Sequence, residues 1–313
     1  MTEMIIRRVG LLVLILLAVS FMTFMIVNVL PGDVAAVVLG DGASPEQVHL
    51  LREKLGLNEP VLTRFVSWLG DMLRGDFGVS LLYGQPIGPM LATRLYNSLV
   101  LALLALVLSV PVAILLGTVA AMKRGSWVDR IISSLTAVTF ALPEFVKGLA
   151  LILVFGIWLE VLPGSSLIEA GRNPLSQPLI LVLPVLTVAI GMQPYFVQIT
   201  RAGMIEAFRS DYVRTAVLKG LPPHVVALKH ALRNGVLPAV AVIGMTLGNA
   251  LGGLVVVETV FSYPGIGQLM VSAISARDVP IIQSTVMIVA AAYAVGNLLA
   301  DIVSIALNPR LRY

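Results

Sequence analysis

A chain of 313 residues that is 58% hydrophobic and 12% charged, with a mean hydropathy of +0.96, carries far less charge than a soluble domain, where roughly 25% is usual. The composition predicts a polytopic, all-α membrane protein. The absence of cysteine excludes a disulfide framework, a thiolate nucleophile and a cysteine-ligated metal, and only three histidines, His49, His224 and His230, argue against a buried metal cage; the formal charge of +4 reports on loop topology rather than on nucleic acid.

The first membrane span is expected from Val9 to Leu30, preceded by Arg7 and Arg8. Its apolar run is longer than a signal-peptide core and meets no small-x-small cleavage pattern, so it reads as an uncleaved anchor. Residues 31–96 have the pattern of a small helical extracytoplasmic subdomain. Ser44, Pro45 and Gln47 supply an N-cap, a first-turn proline and a capping-box partner, and Gly56 ends that helix. A second helix from Pro60 places Leu62, Phe65, Leu69 and Met72 on one side and stops at Gly75. The remaining spans are expected over 97–122, 140–162, 179–199, 239–257 and 281–307, six in all. Pro111, Pro143, Pro184 and Pro194 suggest kinks beside a cavity.

Most of the 21 lysines and arginines fall at the two termini and in the loops 122–131 and 200–238. The positive-inside rule therefore assigns these to the cytoplasm and the 31–96 subdomain to the outside. The domain plan is thus residues 1–30 as tip and first span, 31–96 as external subdomain, and 97–313 as core with a cytoplasmic loop at 201–238.

The sequence holds no GxxxxGK[ST], HExxH or GxSxG pattern and no nucleophile–base constellation, so no catalytic residue and no metal ligand is assigned. Asp211 to Pro238 is instead the longest polar interruption of the hydrophobic second half. Asp211 suits the N-cap of a short helix, Tyr212 to Lys219, ended by Gly220 and by Pro222-Pro223; a second short helix then runs to Asn234-Gly235. Two capped helices across a membrane base form a rigid lever, with Tyr212, Ala216 and Val217 on one side and Arg214 and Lys219 on another. A basic loop lying on anionic lipid is the plainer reading, but lipid attraction requires no such punctuation. In the fifth span Gly244, Gly248 and Gly252 form a smooth ridge, either for helix packing or, with Asn249, for lining a translocation path. Glu144, Lys147 and Asp301 are charges within spans that require partners, and the i,i+3 spacing of Glu144 and Lys147 predicts that they neutralise each other rather than bind a zwitterionic peptide. Pro264 to Ala276 reads as a short re-entrant or surface helix.

Asp211-Tyr212-Val213-Arg214-Thr215-Ala216, Lys219-Gly220-Leu221, Lys229-His230-Ala231-Leu232-Arg233-Asn234 and Leu237-Pro238 resemble the EAA-type loop of ABC importer permeases. The subfamily is the B-type subunit of oligopeptide, dipeptide and nickel permeases. The resemblance continues through Leu30-Pro31-Gly32-Asp33, Leu55 to Pro60 and Arg74 to Ser80, and closes with Glu258 to Gly267, Arg277-Asp278-Val279-Pro280 and Asn308-Pro309-Arg310. Arg214-Thr215-Ala216 departs from the general Glu-Ala-Ala, and Asn308 stands where many members have aspartate.

The resemblance implies a type I importer fold in the plasma (inner) membrane of a prokaryote, with both termini cytoplasmic. It implies a second homologous permease, two cytoplasmic ATPase subunits that use ATP and Mg, and an extracytoplasmic substrate-binding protein. This chain itself would bind no cofactor. Asp211, Tyr212, Arg214, Ala216, Lys219, Gly220 and Leu221 would couple it to the ATPase, and peptides would be the cargo. An ion-gradient-driven transporter or channel is the alternative.

Overall fold

The computed structural model of the chain describes residues 2–29, 44–54, 58–169 and 171–307. Among them the regular structure is helical, with a single isolated β-bridge, Val79 to Pro86. The helices are α1 (Thr2–Val29), α2 (Pro45–Lys54), α3 (Val61–Leu73), α4 (Ile87–Met122), α5 (Trp127–Ala141) and α6 (Glu144–Leu151), the last running on as a π-helix, Ile152–Trp158. There follow α7 (Pro178–Phe208) and α8 (Asp211–Leu218). Pro223–Val225, the π-helical Val226–Ala231 and Leu232–Gly235 are continuous and together form α9; α10 (Leu237–Val260), α11 (Ile266–Ser275) and α12 (Val279–Leu307) complete the chain. Four stretches among the described residues are long and apolar enough to cross a membrane: Arg7–Ile26, Ile87–Met122, Pro178–Phe208 and Val279–Leu298.

The third expected span, 140–162, is not one rod. α5 and α6 pass the same test only as a pair, bent by 103°. The cause is Leu142-Pro143: proline cannot donate, and it forces Leu142 to an extended conformation, φ −80° and ψ 127°. Pro111, Pro184 and Pro194 instead lie inside unbroken helices, so of these four prolines Pro143 is the one at which the helix is interrupted. Each interior proline leaves the carbonyl four residues earlier without its donor. For Pro184 the repair is visible, since the Ser166 hydroxyl donates to the Ile180 carbonyl at 2.6 Å.

The chain divides into two compact units. One comprises residues 1–97 and 265–294. Its capping box forms as the sequence predicts: the Ser44 amide donates to Gln47 Oε1 at 3.0 Å and the Gln47 amide to Ser44 Oγ at 3.3 Å. Gly56 falls outside the described residues. Phe21 and Phe24 of α1 pack edge-on against Phe65 of α3 at 5.4 and 5.5 Å, the apolar side of the helix predicted from Pro60. Gly75, at φ +84°, closes α3. Ile87, Leu91, Ile266, Leu269, Ala273 and Ile281 form this unit's core, so the helix expected between 264 and 276 is present as α11 and is half buried.

Within the same unit Asp278, 1% exposed, accepts from the Ser80 hydroxyl at 2.6 Å and from the Leu82 amide at 3.0 Å. One carboxylate thereby pins the 76–86 segment to the α11–α12 turn. Asp278→Ala leaves those donors buried without an acceptor, a loss of about 2 to 3 kcal/mol. The expected result is a lower midpoint of thermal unfolding and new protease cleavage within residues 76–86.

The other unit comprises residues 98–264 and 295–313. Here Leu106 and Ala113 of α4 pack on Phe196 and Val197 of α7, with Ile132 and Met192 around them.

Candidate functional site

The polar stretch from Asp211 folds as the α8–α9 hairpin within the second unit. Its helix bounds match the sequence reading closely, but its N-terminal cap does not. Ser210, not Asp211, holds the N-cap position, with φ −74° and ψ 150°. The Ser210 hydroxyl turns back to the Ala207 carbonyl, while its own carbonyl accepts from the Arg214 amide at 3.0 Å. Asp211 therefore lies in the first turn of α8, where a carboxylate suits the positive end of the helix dipole.

At the other end of α8 the Gly220 amide donates to Val217 O at 2.9 Å and the Leu221 amide to Ala216 O at 3.4 Å. This is a Schellman ending, and it requires the left-handed conformation that Gly220 adopts at φ +76°. A methyl group on Gly220 would meet nothing within 4 Å. The glycine is there for its backbone, not for close packing.

One face of the hairpin is buried and the other is free. Val213 and Ala216 of α8 join Val226 and Ala231 of α9, and Met204 and Ala207 of α7, in one core, with Leu221 and Leu232 packed against it. Ala216, expected on the contact side, is thus a core residue at 4% exposure. Asp211, Tyr212, Arg214, Val217, Lys219 and Gly220 are exposed. The residue the sequence reading missed is Leu218, 79% exposed. Its signal was present: Leu218 falls three and four residues after Thr215 and Arg214, so it is a leucine on the polar face of an amphipathic helix.

The hairpin is seated on α7 by two glycines. A methyl group on Gly203 would collide with the Gly235 carbonyl oxygen, and one on Gly235 would lie 2.6 Å from Met204 Sδ and 3.1 Å from Met204 Cα. Backbone meets backbone, with no room for a side chain on either helix. The same stretch of α7 is gripped from two further sides. A methyl on Gly117 of α4 would stand 2.7 Å from Thr200 Cβ and 2.8 Å from Val197 O. From α5, Asp129 takes Arg201 in a two-pronged ion pair, Nε to Oδ1 at 2.7 Å and Nη2 to Oδ2 at 2.8 Å. Asp129 also accepts from the Gly125 amide at 2.9 Å, so it fixes the turn before α5 as well.

The other expected site residues are placed less closely. Gly244, Gly248, Asn249 and Gly252 lie in α10, but their surroundings fall outside the described residues, as do those of Asp301. Among the described residues no three His, Asp or Glu side chains are placed to hold a metal ion.

The family model described as "Binding-protein-dependent transport system inner membrane component" matches residues 113–313, and the corresponding N-terminal model matches residues 1–108. A probable peptide ABC transporter permease protein of Sinorhizobium fredii is 38% identical over 99% of each chain. A putative peptide transport system permease protein of Brucella abortus is 36% identical over the full length of both. A glutathione transport system permease protein of Escherichia coli is 33% identical, again over 100% of each.

Gly203→Ala tests how the hairpin is seated. It forces α7 and α9 apart at a cost of about 1 to 3 kcal/mol and is expected to make residues 210–235 protease-sensitive in the membrane-inserted protein. Gly220→Ala strains one residue by about 1 kcal/mol, so the hairpin should stay protected.

Proposed function

Because this chain belongs to the family of binding-protein-dependent transport system inner membrane components, we propose that it is a permease subunit of an ATP-driven importer of peptides, with the α8–α9 hairpin as its coupling element. The names of its full-length relatives, two for peptides and one for glutathione, support short peptides as cargo. The ion-gradient alternative is not favoured, since a relative matched over 99% of its length is named an ABC transporter permease. As a member of this family the chain is a multi-pass inner-membrane protein.

The proposed arrangement has six spans, formed by α1, α4, the bent α5–α6 pair, α7, α10 and α12. The termini and the hairpin lie in the cytoplasm, and α2 and α3 lie outside. Support comes from the basic residues of the 122–131 and 200–238 loops. The chain would work beside a second, homologous permease, with two ATPase subunits below that bind the ATP and Mg this sequence has no P-loop to hold. Exposed Glu46, Glu53 and Asp71 on α2 and α3 offer an outer face to a substrate-binding protein.

The observation that carries the coupling role is Leu218. A leucine 79% exposed beside a valine, Val217, 57% exposed, on a helix whose opposite face is locked into the core, offers an apolar patch to a partner. Tyr212, Arg214 and Lys219 flank it. Docking of this face in a groove of the ATPase subunit would let nucleotide-driven movement of that subunit reach α7 directly, because the hairpin shares a core with α7 and is seated on it at Gly203 and Gly235.

Leu218→Asp is therefore expected to reduce co-purification of the ATPase subunits and to lower ATP-dependent tri-alanine uptake at least tenfold, while the hairpin remains protected from protease. Uptake equal to that of the unaltered complex would remove Leu218 from the contact. Gly220→Asp is expected to uncouple transport through the turn that follows it.

A further inference from the structure

The spacing of Glu144 and Lys147 on α6 predicts that the two charges neutralise each other. In the structure they do not close an ion pair. Lys147, 9% exposed, turns its Nζ to the Thr139 carbonyl at 3.4 Å. That carbonyl is the one deprived of its helical donor by Pro143, four residues on, so the ammonium repairs the break between α5 and α6. Lys147 thus has a structural partner other than Glu144. It still has N–H groups to offer, since an ammonium carries three donors.

Glu144 faces a different surface. A methyl group on Gly191 of α7 would stand 3.1 Å from Glu144 Oε1 and 3.6 Å from Lys147 Nζ, and one on Gly253 of α10 would stand 3.9 Å from both carboxylate oxygens. Beside the two charges, two neighbouring helices present bare backbone. Among the described residues no hydrogen bond reaches the Glu144 carboxylate. An ionised carboxylate within a membrane span costs at least about 2.5 kcal/mol by insertion scales, and among the described residues neither a hydrogen bond nor a closed ion pair offsets that cost. Such a group belongs in a hydrated cavity or against a charged ligand.

We propose that Glu144 and Lys147, over the bare backbone of Gly191 and Gly253, form an intramembrane recognition site for a zwitterionic peptide in transit. Glu144 receives the α-ammonium group, and the remaining donors of Lys147 receive the α-carboxylate. The two charged groups lie directly over the backbone of Gly191, so the site reads the charged termini common to all peptides. This inference rests on the peptide-import reading above. No covalent step is involved.

The test uses the complete complex in liposomes with its binding protein and tri-alanine as probe. ATP-dependent tri-alanine uptake by the unaltered complex checks the import reading separately; its absence would sink that reading and this one together. With uptake established, Glu144→Gln is expected to lower it at least fivefold while ATP hydrolysis stays within twofold, so that more ATP is consumed per peptide. An unchanged ratio of ATP to peptide overturns the proposal. The absence of native cysteine permits a second readout that does not depend on turnover. Gly253→Cys is labelled with water-soluble cationic and anionic thiosulfonates. The expected result is faster reaction with the cation, slowing by tri-alanine, and loss of the cation preference when Glu144→Gln is added. No labelling with or without ATP, or labelling indifferent to both tri-alanine and Glu144→Gln, places Glu144 against lipid or a partner subunit and overturns the proposal.

Discussion

The arrangement of the core unit depends on how tightly its neighbours close on residues 197–204 of α7. α4 approaches at Gly117, α9 at Gly235 and α5 through the Asp129–Arg201 pair. Two of these are contacts that exclude even a methyl group, and the third is a bidentate charge-assisted bond with Asp129 almost fully buried. Close-packed interiors have low compressibility and transmit strain. A displacement imposed on the hairpin therefore passes to α7 and, through it, to the helices that grip the same segment.

This seating gives the two faces of the hairpin different duties. The inward face, with Val213, Ala216, Val226 and Ala231, is a small extension of the core. The outward face carries exposed apolar side chains, Leu218 foremost and Val217 beside it, among charges. The proposed coupling role requires both: a fixed end that does not yield and a free end that fits a partner. The Schellman ending at Gly220 and the two prolines after it set the angle between the arms without consuming any side chain on the free face.

Local chemistry was legible in the sequence wherever the interacting residues were close in the chain. The Ser44–Gln47 capping box, the end of α3 at Gly75 and the turn at Gly220 all form as their residue types dictate. The misjudged positions were those where two local solutions competed. Ser210 and Asp211 are both good caps, and the serine took the position. Lys147 had both Glu144 and the carbonyl freed by Pro143 within reach, and it donates to the carbonyl while Glu144 attracts it through charge without a closed ion pair. Contacts between distant residues left no such trace: Arg201 and Asp129 are 72 positions apart, Ser80 and Asp278 are 198 apart, and nothing in either neighbourhood names its partner. Leu218 stands between these cases. Its misfit on a polar face was readable, but only burial of the opposite face shows that the misfit is exposed.

The central claim is that the hairpin, the segment of α7 beneath it and the start of α5 that grips that segment move as one body. With no native cysteine, Leu228→Cys and Trp127→Cys place two spin labels on side chains 61% and 72% exposed, one on the hairpin away from the proposed contact and one at the start of α5. Electron–electron resonance on the assembled complex then reads the distance between them with and without ATP. The account predicts a single narrow distribution that is the same in both states; a distribution that shifts or splits when nucleotide binds would contradict it.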